Sequence, residues 1–180
     1  MTTISRETRE TRIQVTLTPG TGRTDISTTV MFLDHMLAAL GRYAGWDLTV
    51  RATGDLPHHI IEDVALTLGA AIARALPTSA VRYGERTIPM DDALVQVALD
   101  AGGRPFYRGP VPSTLYDHFL RSLANGAKMA VHVRVLRGSD RHHVVEAAFK
   151  ALGLALRQAM TDGGEDGVFS TKGGIAMETG

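Results

Sequence analysis

His58-His59-Ile60-Ile61-Glu62 recurs as His142-His143-Val144-Val145-Glu146, 84 positions later. Working outward, Asp34-His35-Met36-Leu37 recurs as Asp117-His118-Phe119-Leu120, 83 positions later. Further upstream, Gln14-Val15-Thr16-Leu17 followed by Gly22-Arg23 finds a counterpart in Gln96-Val97-Ala98-Leu99 followed by Gly103-Arg104. Three matches in one order and nearly one register mark a tandem duplication. The halves are residues 1–83 and 84–180, forming one compact unit with a Gly-rich C-terminal tail.

Each half carries the same run of periodicities. Ile13, Val15 and Leu17 alternate with polar neighbours, as do Val95, Val97 and Leu99, which predicts a strand in each half. Glycine turns follow at residues 20–22 and 102–103. A helix is then expected to begin near Asp34 or Asp117, since an acidic residue suits a helix N-terminus. A second strand follows, around Leu48 and Val50 or Val131, Val133 and Val135. The His-His pair opens a second helix. There Ile61, Val64, Leu68, Ile72 and Ala75 recur at three- and four-residue steps, matched by Val145, Phe149, Leu152 and Leu156. The fold class this predicts is α+β: two similar half-domains, each a small antiparallel or mixed sheet packed against helices.

Composition narrows the function. Of 180 residues 44% are hydrophobic, enough for a core, and Lys+Arg and Asp+Glu both number 19. That neutral balance argues against a nucleic-acid or membrane-surface partner. The absence of Cys excludes disulfides, zinc-thiolate centres and thiol nucleophiles. The polar, charged start from Met1 to Arg12 holds no apolar signal-peptide core, and no apolar run approaches the ~20 residues of a membrane span. A soluble, cytoplasmic protein is the expectation.

The histidines carry the chemistry. Residues three and four apart share a helix face, so Glu62 lies beside His59 and His58, and Glu146 beside His143 and His142. Imidazole with carboxylate and no sulfur suits manganese, iron, zinc or nickel. Adjacent histidines point about 100° apart around a helix, so a pair serves two ions more readily than one. An approximate two-fold axis would exchange His35 with His118, His58 with His142, His59 with His143 and Glu62 with Glu146. One partition gives the first ion His35, His59, His142 and Glu146, and the second His58, Glu62, His118 and His143. Four protein ligands leave positions open for substrate or water. The ligands can come from one chain or from different subunits. A single His-His-x-x-Glu would pass as exposed polar residues beside a capping Glu; the duplication is what points to metal. His132 has no His counterpart and reads as a solvated or hydrogen-bonded strand residue.

Ser170-Thr171-Lys172-Gly173-Gly174 offers hydroxyls, an ammonium and free backbone N–H groups, a set suited to phosphate, and Arg82 and Arg104 offer guanidinium forks. Alone, that tail reads as a surface loop, Glu10 as a surface charge, and Pro89-Met90-Asp91-Asp92 as a turn leading into the next element.

Taken together, from Arg6-Glu7-Thr8-Arg9-Glu10-Thr11 through Phe32-Leu33-Asp34-His35-Met36-Leu37, His58-His59 with Glu62-Asp63-Val64, Arg82-Tyr83-Gly84, Pro89-Met90-Asp91-Asp92-Ala93-Leu94, Gly103-Arg104-Pro105, His142-His143 with Glu146-Ala147-Ala148-Phe149-Lys150-Ala151, to Ser170-Thr171-Lys172-Gly173, the chain resembles the imidazoleglycerol-phosphate dehydratases of histidine biosynthesis. The resemblance implies a duplicated α+β fold, a cage of 24 identical subunits with active sites at subunit interfaces, and two manganese ions per chain that bind the substrate's imidazole. It implies removal of water from imidazole glycerol phosphate to give imidazole acetol phosphate. The proton that leaves is not acidic, and divalent ions on the ring nitrogens make its loss feasible. Glu10 would touch substrate and handle protons, with Glu62 and Glu146 as rivals for that work. Arg82, Arg104, Ser170, Thr171 and Lys172 would hold the phosphate, with Lys150 close by. The sequence departs from the family pattern in three places. Leu56-Pro57 runs straight into His58 where many members carry a longer loop with an acidic pair, Thr29 stands where Gly is usual, and Gly102 where Ser is common. Two other readings stay open: another two-metal enzyme acting on a small phosphorylated substrate, favoured by the short loop, and a non-catalytic module assembled by metal.

Overall fold

A computed structural model describes residues 1–164. The first half runs β1 (Thr2–Glu7), β2 (Thr11–Pro19), β3 (Thr24–Ser27), α1 (Met31–Ala44), β4 (Trp46–Gly54) and α2 (Pro57–Ala75). The second runs β5 (Tyr83–Met90), β6 (Ala93–Asp100), β7 (Phe106–Arg108), α3 (Thr114–Gly126), β8 (Ala130–Arg137) and α4 (Arg141–Ala159). The two four-stranded sheets have the same order, β1-β2-β4-β3 and β5-β6-β8-β7. In both the first three strands pair antiparallel and the last pairs parallel. The duplicated α+β architecture expected from the repeats is therefore present, with mixed sheets.

The alternating strands form for the reason the sequence suggests. Ile13, Val15 and Leu17 on β2 and Val95, Val97 and Leu99 on β6 turn inward and are buried, while their neighbours face solvent. Each sheet has helices on one face only, α1 and α2 on the first, α3 and α4 on the second. The helices then pack on each other across the halves, α1 against α4 and α2 against α3, giving four layers: sheet, helices, helices, sheet. One continuous core fills the middle, with Phe119, Phe149, Leu68 and Ile72 fully buried.

Glycine sets how closely the helices cross. Gly69 on α2 lies against the end of α3, where an added Cβ would meet Leu123 O and Ala127 N at 2.7 Å. Its counterpart Gly153 on α4 lies against α1, where a Cβ would meet Leu40 O at 2.8 Å. Each glycine falls seven residues after its glutamate, Glu62 or Glu146, and so on the same helix face. The residue that allows close approach and the residue that uses it thus share one stripe.

Four strands were not anticipated. β1 and β5 are edge strands with little apolar surface: Ile4 in β1 and Ile88 and Met90 in β5 are the partly buried apolar side chains that pack on the core. An edge position also tolerates Pro89. β3 and β7 are four and three residues long, too short for alternation to register. The first helix of each half starts earlier than its acidic residue suggests, at Met31 and Thr114. Asp34 and Asp117 sit inside the first turn and accept hydrogen bonds from the preceding loops, from Thr28 N (2.9 Å) and from Val111 N (3.1 Å) and Tyr107 OH (2.6 Å).

Candidate metal centre and substrate site

The helix crossings bring together two clusters. His35 of α1 meets His142 and Glu146 of α4: His35 Nε2 and His142 Nε2 lie 3.2 and 3.1 Å from Glu146 Oε2. His118 of α3 meets His58 and Glu62 of α2: their Nε2 atoms lie 3.3 and 3.7 Å from Glu62 Oε2. In each cluster the ligand atoms are all within 4.8 Å of one another. Each takes a single histidine from one half and a His-x-x-x-Glu pair from the other. The pair is spaced i, i+4, one helical turn, so both side chains reach the same side of the helix.

The donor sets fit a divalent ion. Two imidazoles and a carboxylate converge without sulfur, a set that suits manganese, iron or zinc. His118 Nε2 is buried and, although 3.3 Å from Glu62, makes no hydrogen bond among the described residues. A buried acceptor nitrogen without a donor is costly, and a cation in the cluster would satisfy it. The histidine rings are already aligned: His58 stacks on His118 at 5.2 Å and 17°, and His35 lies 5.9 Å from His142 at 33°.

His59 and His143 lie elsewhere. Turned away from their neighbours by the helical step, they face the hairpins at the ends of the sheets. His59 Nδ1 lies 2.8 Å from Asp55 Oδ1 and 3.7 Å from Glu10 Oε2 on the β1–β2 turn. His143 Nδ1 lies 2.8 Å from Asp92 Oδ1 on the β5–β6 turn, with Nε2 3.4 Å from Asp91. Within one chain, then, three of each proposed quartet converge and the fourth does not. The hydrogen bond to Asp55 raises the pKa of His59, and that to Asp92 raises the pKa of His143. Asp92 itself is held far below the usual carboxylate range by hydrogen bonds from the Ser139 backbone, from His143 and from the Asp140 backbone.

Glu146 differs from Glu62 in its surroundings. Burial pushes its carboxyl up, but hydrogen bonds from Lys150 and His35 outweigh that and leave it below its ordinary value. Lys150 Nζ lies 2.9 Å from Glu146 Oε1, 3.5 Å from Met90 Sδ and over the Tyr43 ring. Beside this cluster opens a cleft of about 650 Å³ lined by Phe32, Leu115, Tyr116, Arg141, His142 and Val145.

The other candidate residues are spread over the chain. Glu10 is 57% exposed at the tip of the β1–β2 turn. Arg82 joins the halves at φ +77°, and its guanidinium engages Asp100, with Nη2 3.0 Å from Oδ2. Arg104 is exposed on the β6–β7 loop, and Gly103 beside it approaches Arg82 Nη2. Ser170, Thr171 and Lys172 lie outside the described residues. His132 is exposed on β8, and its ring packs on Phe106 at 5.3 Å.

The sequence reading gave Asp55, Asp63 and Asp92 no role at the site. Asp63 is buried, accepts from Arg6 Nε (2.8 Å) and from Thr11 Oγ1, and so ties β1 to α2. Asp92 could have been found by carrying the Gln14/Gln96 repeat four residues upstream: it precedes β6 as Glu10 precedes β2.

A duplicated α+β protein with two His₂Glu clusters shared between its halves has the residue set of a metal-dependent enzyme. The comparisons narrow that class. Residues 28–156 match the imidazoleglycerol-phosphate dehydratase family. The imidazoleglycerol-phosphate dehydratase of Desulforudis audaxviator is 44% identical over 188 residues, covering 96% of each chain. That of Acidothermus cellulolyticus is 44% identical over 189 residues, covering 96% of this chain and 92% of the relative. The crystal structure of the enzyme from Pyrococcus furiosus, in complex with (S)-C348, superposes with a TM-score of 0.86 at 39% identity over 96% of this chain and 100% of that one. The Staphylococcus aureus structure gives 0.79 at 29% identity, over 90% and 99%. The chain belongs to the imidazoleglycerol-phosphate dehydratase family, and it is an enzyme of the hydro-lyase class.

Proposed function

We propose that this chain dehydrates imidazole glycerol phosphate to imidazole acetol phosphate in histidine biosynthesis, in the cytoplasm, using two manganese ions per chain. The observation that carries the reading is the pair of crossed clusters, one of His35, His142 and Glu146, the other of His58, Glu62 and His118. Manganese bound there supplies Lewis acidity toward the nitrogens of the substrate's imidazole.

The protein's own groups handle the rest. The carbon-bound proton needs a base with room to approach it. Glu10 offers an exposed carboxylate beside His59. Glu62 and Glu146 are committed to the clusters, which weakens them as rivals. The departing hydroxide takes up a proton and leaves as water, and the enol left behind becomes the ketone. Arg82, steadied by Asp100, and Arg104 would hold the phosphate, joined in this reading by Ser170, Thr171 and Lys172. Lys150, tied to Glu146, acts on that carboxylate and lies near the substrate rather than bearing its charge.

His59 and His143 face outward on the chain's surface, 27% and 30% exposed. In this reading each completes a cluster on a neighbouring subunit, within a 24-subunit shell with sites at its interfaces. Mixing two inactive variants tests the sharing: His143→Ala and His35→Ala chains, dissociated and reassembled together, regain part of the activity if ligands cross between subunits.

The direct test strips metal, refills with manganese and follows ketone formation. Manganese-dependent turnover that disappears in His59→Ala/His143→Ala supports the reading. Two ions bound per chain with no product would leave a different two-metal enzyme. Loss of assembly with no turnover at any metal load would leave a metal-assembled module.

A further inference from the structure

The tips of the two equivalent hairpins carry carboxylates that serve different ends. In the first half the β1–β2 turn carries Glu10, whose carboxylate stands 3.7 Å from His59 and 57% exposed, because Asp55 already holds His59 Nδ1 at 2.8 Å. In the second half the residue at Asp55's repeat position is Ser139, which cannot do that. The carboxylate at the hairpin tip takes the task instead: Asp92 Oδ1 lies 2.8 Å from His143 Nδ1.

The other oxygen of Asp92 is fully engaged. Oδ2 accepts from Ser139 N (2.6 Å), Ser139 Oγ (2.8 Å) and Asp140 N (3.1 Å), on the loop that leads into α4. Asp140 in turn caps α4, accepting from His142 N at 2.7 Å. One side chain thus fixes the loop before α4 with one oxygen and the ring of His143 with the other. An ionised carboxylate can only accept, so Nδ1 carries the hydrogen and Nε2 keeps its lone pair. Nε2 is the nitrogen that points outward, 3.4 Å from Asp91 Oδ2, which is exposed and carried on the same turn.

We propose that Asp92 is a positioning residue that sets the ring orientation and tautomer of His143 for metal ligation through Nε2, the part Asp55 plays for His59. The inference rests on the two-ion reading above. It also explains why one hairpin tip is left free to meet substrate and the other is not.

The isosteric variant Asp92→Asn is the sharp test. Three donors already claim Oδ2, so the amide oxygen stays on the loop and the NH₂ faces His143 Nδ1. That forces Nδ1 to accept and places the hydrogen on Nε2, where it blocks ligation. Manganese binding is measured by equilibrium dialysis on wild type, Asp92→Asn, Ser139→Ala, His143→Ala and the double variant Asp92→Asn/His143→Ala. The expected result is a 10- to 100-fold loss of affinity for one of the two ions in Asp92→Asn, the usual scale for a partner behind a ligating histidine. No further loss is expected when it is added to His143→Ala, and wild-type binding in Ser139→Ala. At saturating manganese the kcat of Asp92→Asn should return to within a few-fold of wild type, which a merely misfolded loop would not allow. Unchanged affinity for both ions in Asp92→Asn, or an equal further loss in the His143→Ala background, overturns the proposal while leaving the two-ion reading intact. Wild type that binds no manganese overturns both.

Discussion

Glu146 and Glu62 occupy the same place in the two repeats, yet their settings differ. Glu146 is 9% exposed and paired with Lys150, whereas Glu62 is 37% exposed and has Leu66 where the lysine would be. Asp63 beside Glu62 ties α2 to Arg6 and Thr11, and its counterpart Ala147 ties nothing polar. The duplication has kept the ligands and freed their supports to diverge. Convergence of each cluster constrains three side chains; how each carboxylate is held can be solved separately in each half.

The largest expected effect tests that difference. Removing Glu146 leaves Lys150 without its anion in a half-buried place, so Glu146→Ala should destabilise the metal-free protein by about 2 kcal/mol. Glu62→Ala should cost less than about 1 kcal/mol, because its neighbours His58 and His118 are part-exposed side chains and no charged lysine is stranded. Urea titration of both variants checks this, and equal costs would erase the asymmetry. Next come the glycines, where the halves should behave alike. Gly69→Ala and Gly153→Ala each force a Cβ into a backbone 2.7–2.8 Å away. Overpacking should cost about 1–3 kcal/mol in each, against a helix-propensity gain of about 1 kcal/mol. A stabilised Ala variant in either half would show that the crossing is looser than described.

A pH series separates the two kinds of group. Glu146, Asp55 and Asp92 have depressed folded values. They bind protons more readily unfolded, so their contribution is complete above about pH 4.5 and is lost as pH falls through the folded values. His59 and His143 are raised. Their contribution is present below about pH 6.5 and is lost as pH rises through the folded values. Metal-free protein should therefore be most stable between these limits by urea denaturation, and Glu146→Gln should flatten the acid arm. The smallest effect concerns Thr29, a β-branched residue at φ +64° just before α1. Thr29→Gly should stabilise by about 1 kcal/mol by relieving that conformation, with no change in metal content; a fall in melting temperature would count against it.

Much of this was legible in the chain. The duplication could be read because histidines and core positions repeat: His35 with His118, Ile13 with Val95. The divergence of neighbouring histidines followed from the 100° step between them, which sends His58 and His59 to different places. The edge strands could not be read, because Thr2–Glu7 has one apolar residue on its inner face and draws its stability from pairing. Lys150 was legible only through resemblance, because a lysine one turn after a glutamate looks like any helix-surface pair until burial makes it specific. Asp92 was hidden because its partner lies 51 positions away, across a repeat whose other copy uses a different carboxylate.

The most direct test of the crossed clusters is manganese stoichiometry per chain, by elemental analysis after gel filtration, in wild type, His35→Ala and His118→Ala. Two separate sites, each with one histidine from the opposite half, predict two ions in wild type and one in each variant. Loss of both ions from either variant, or retention of both, would contradict the account.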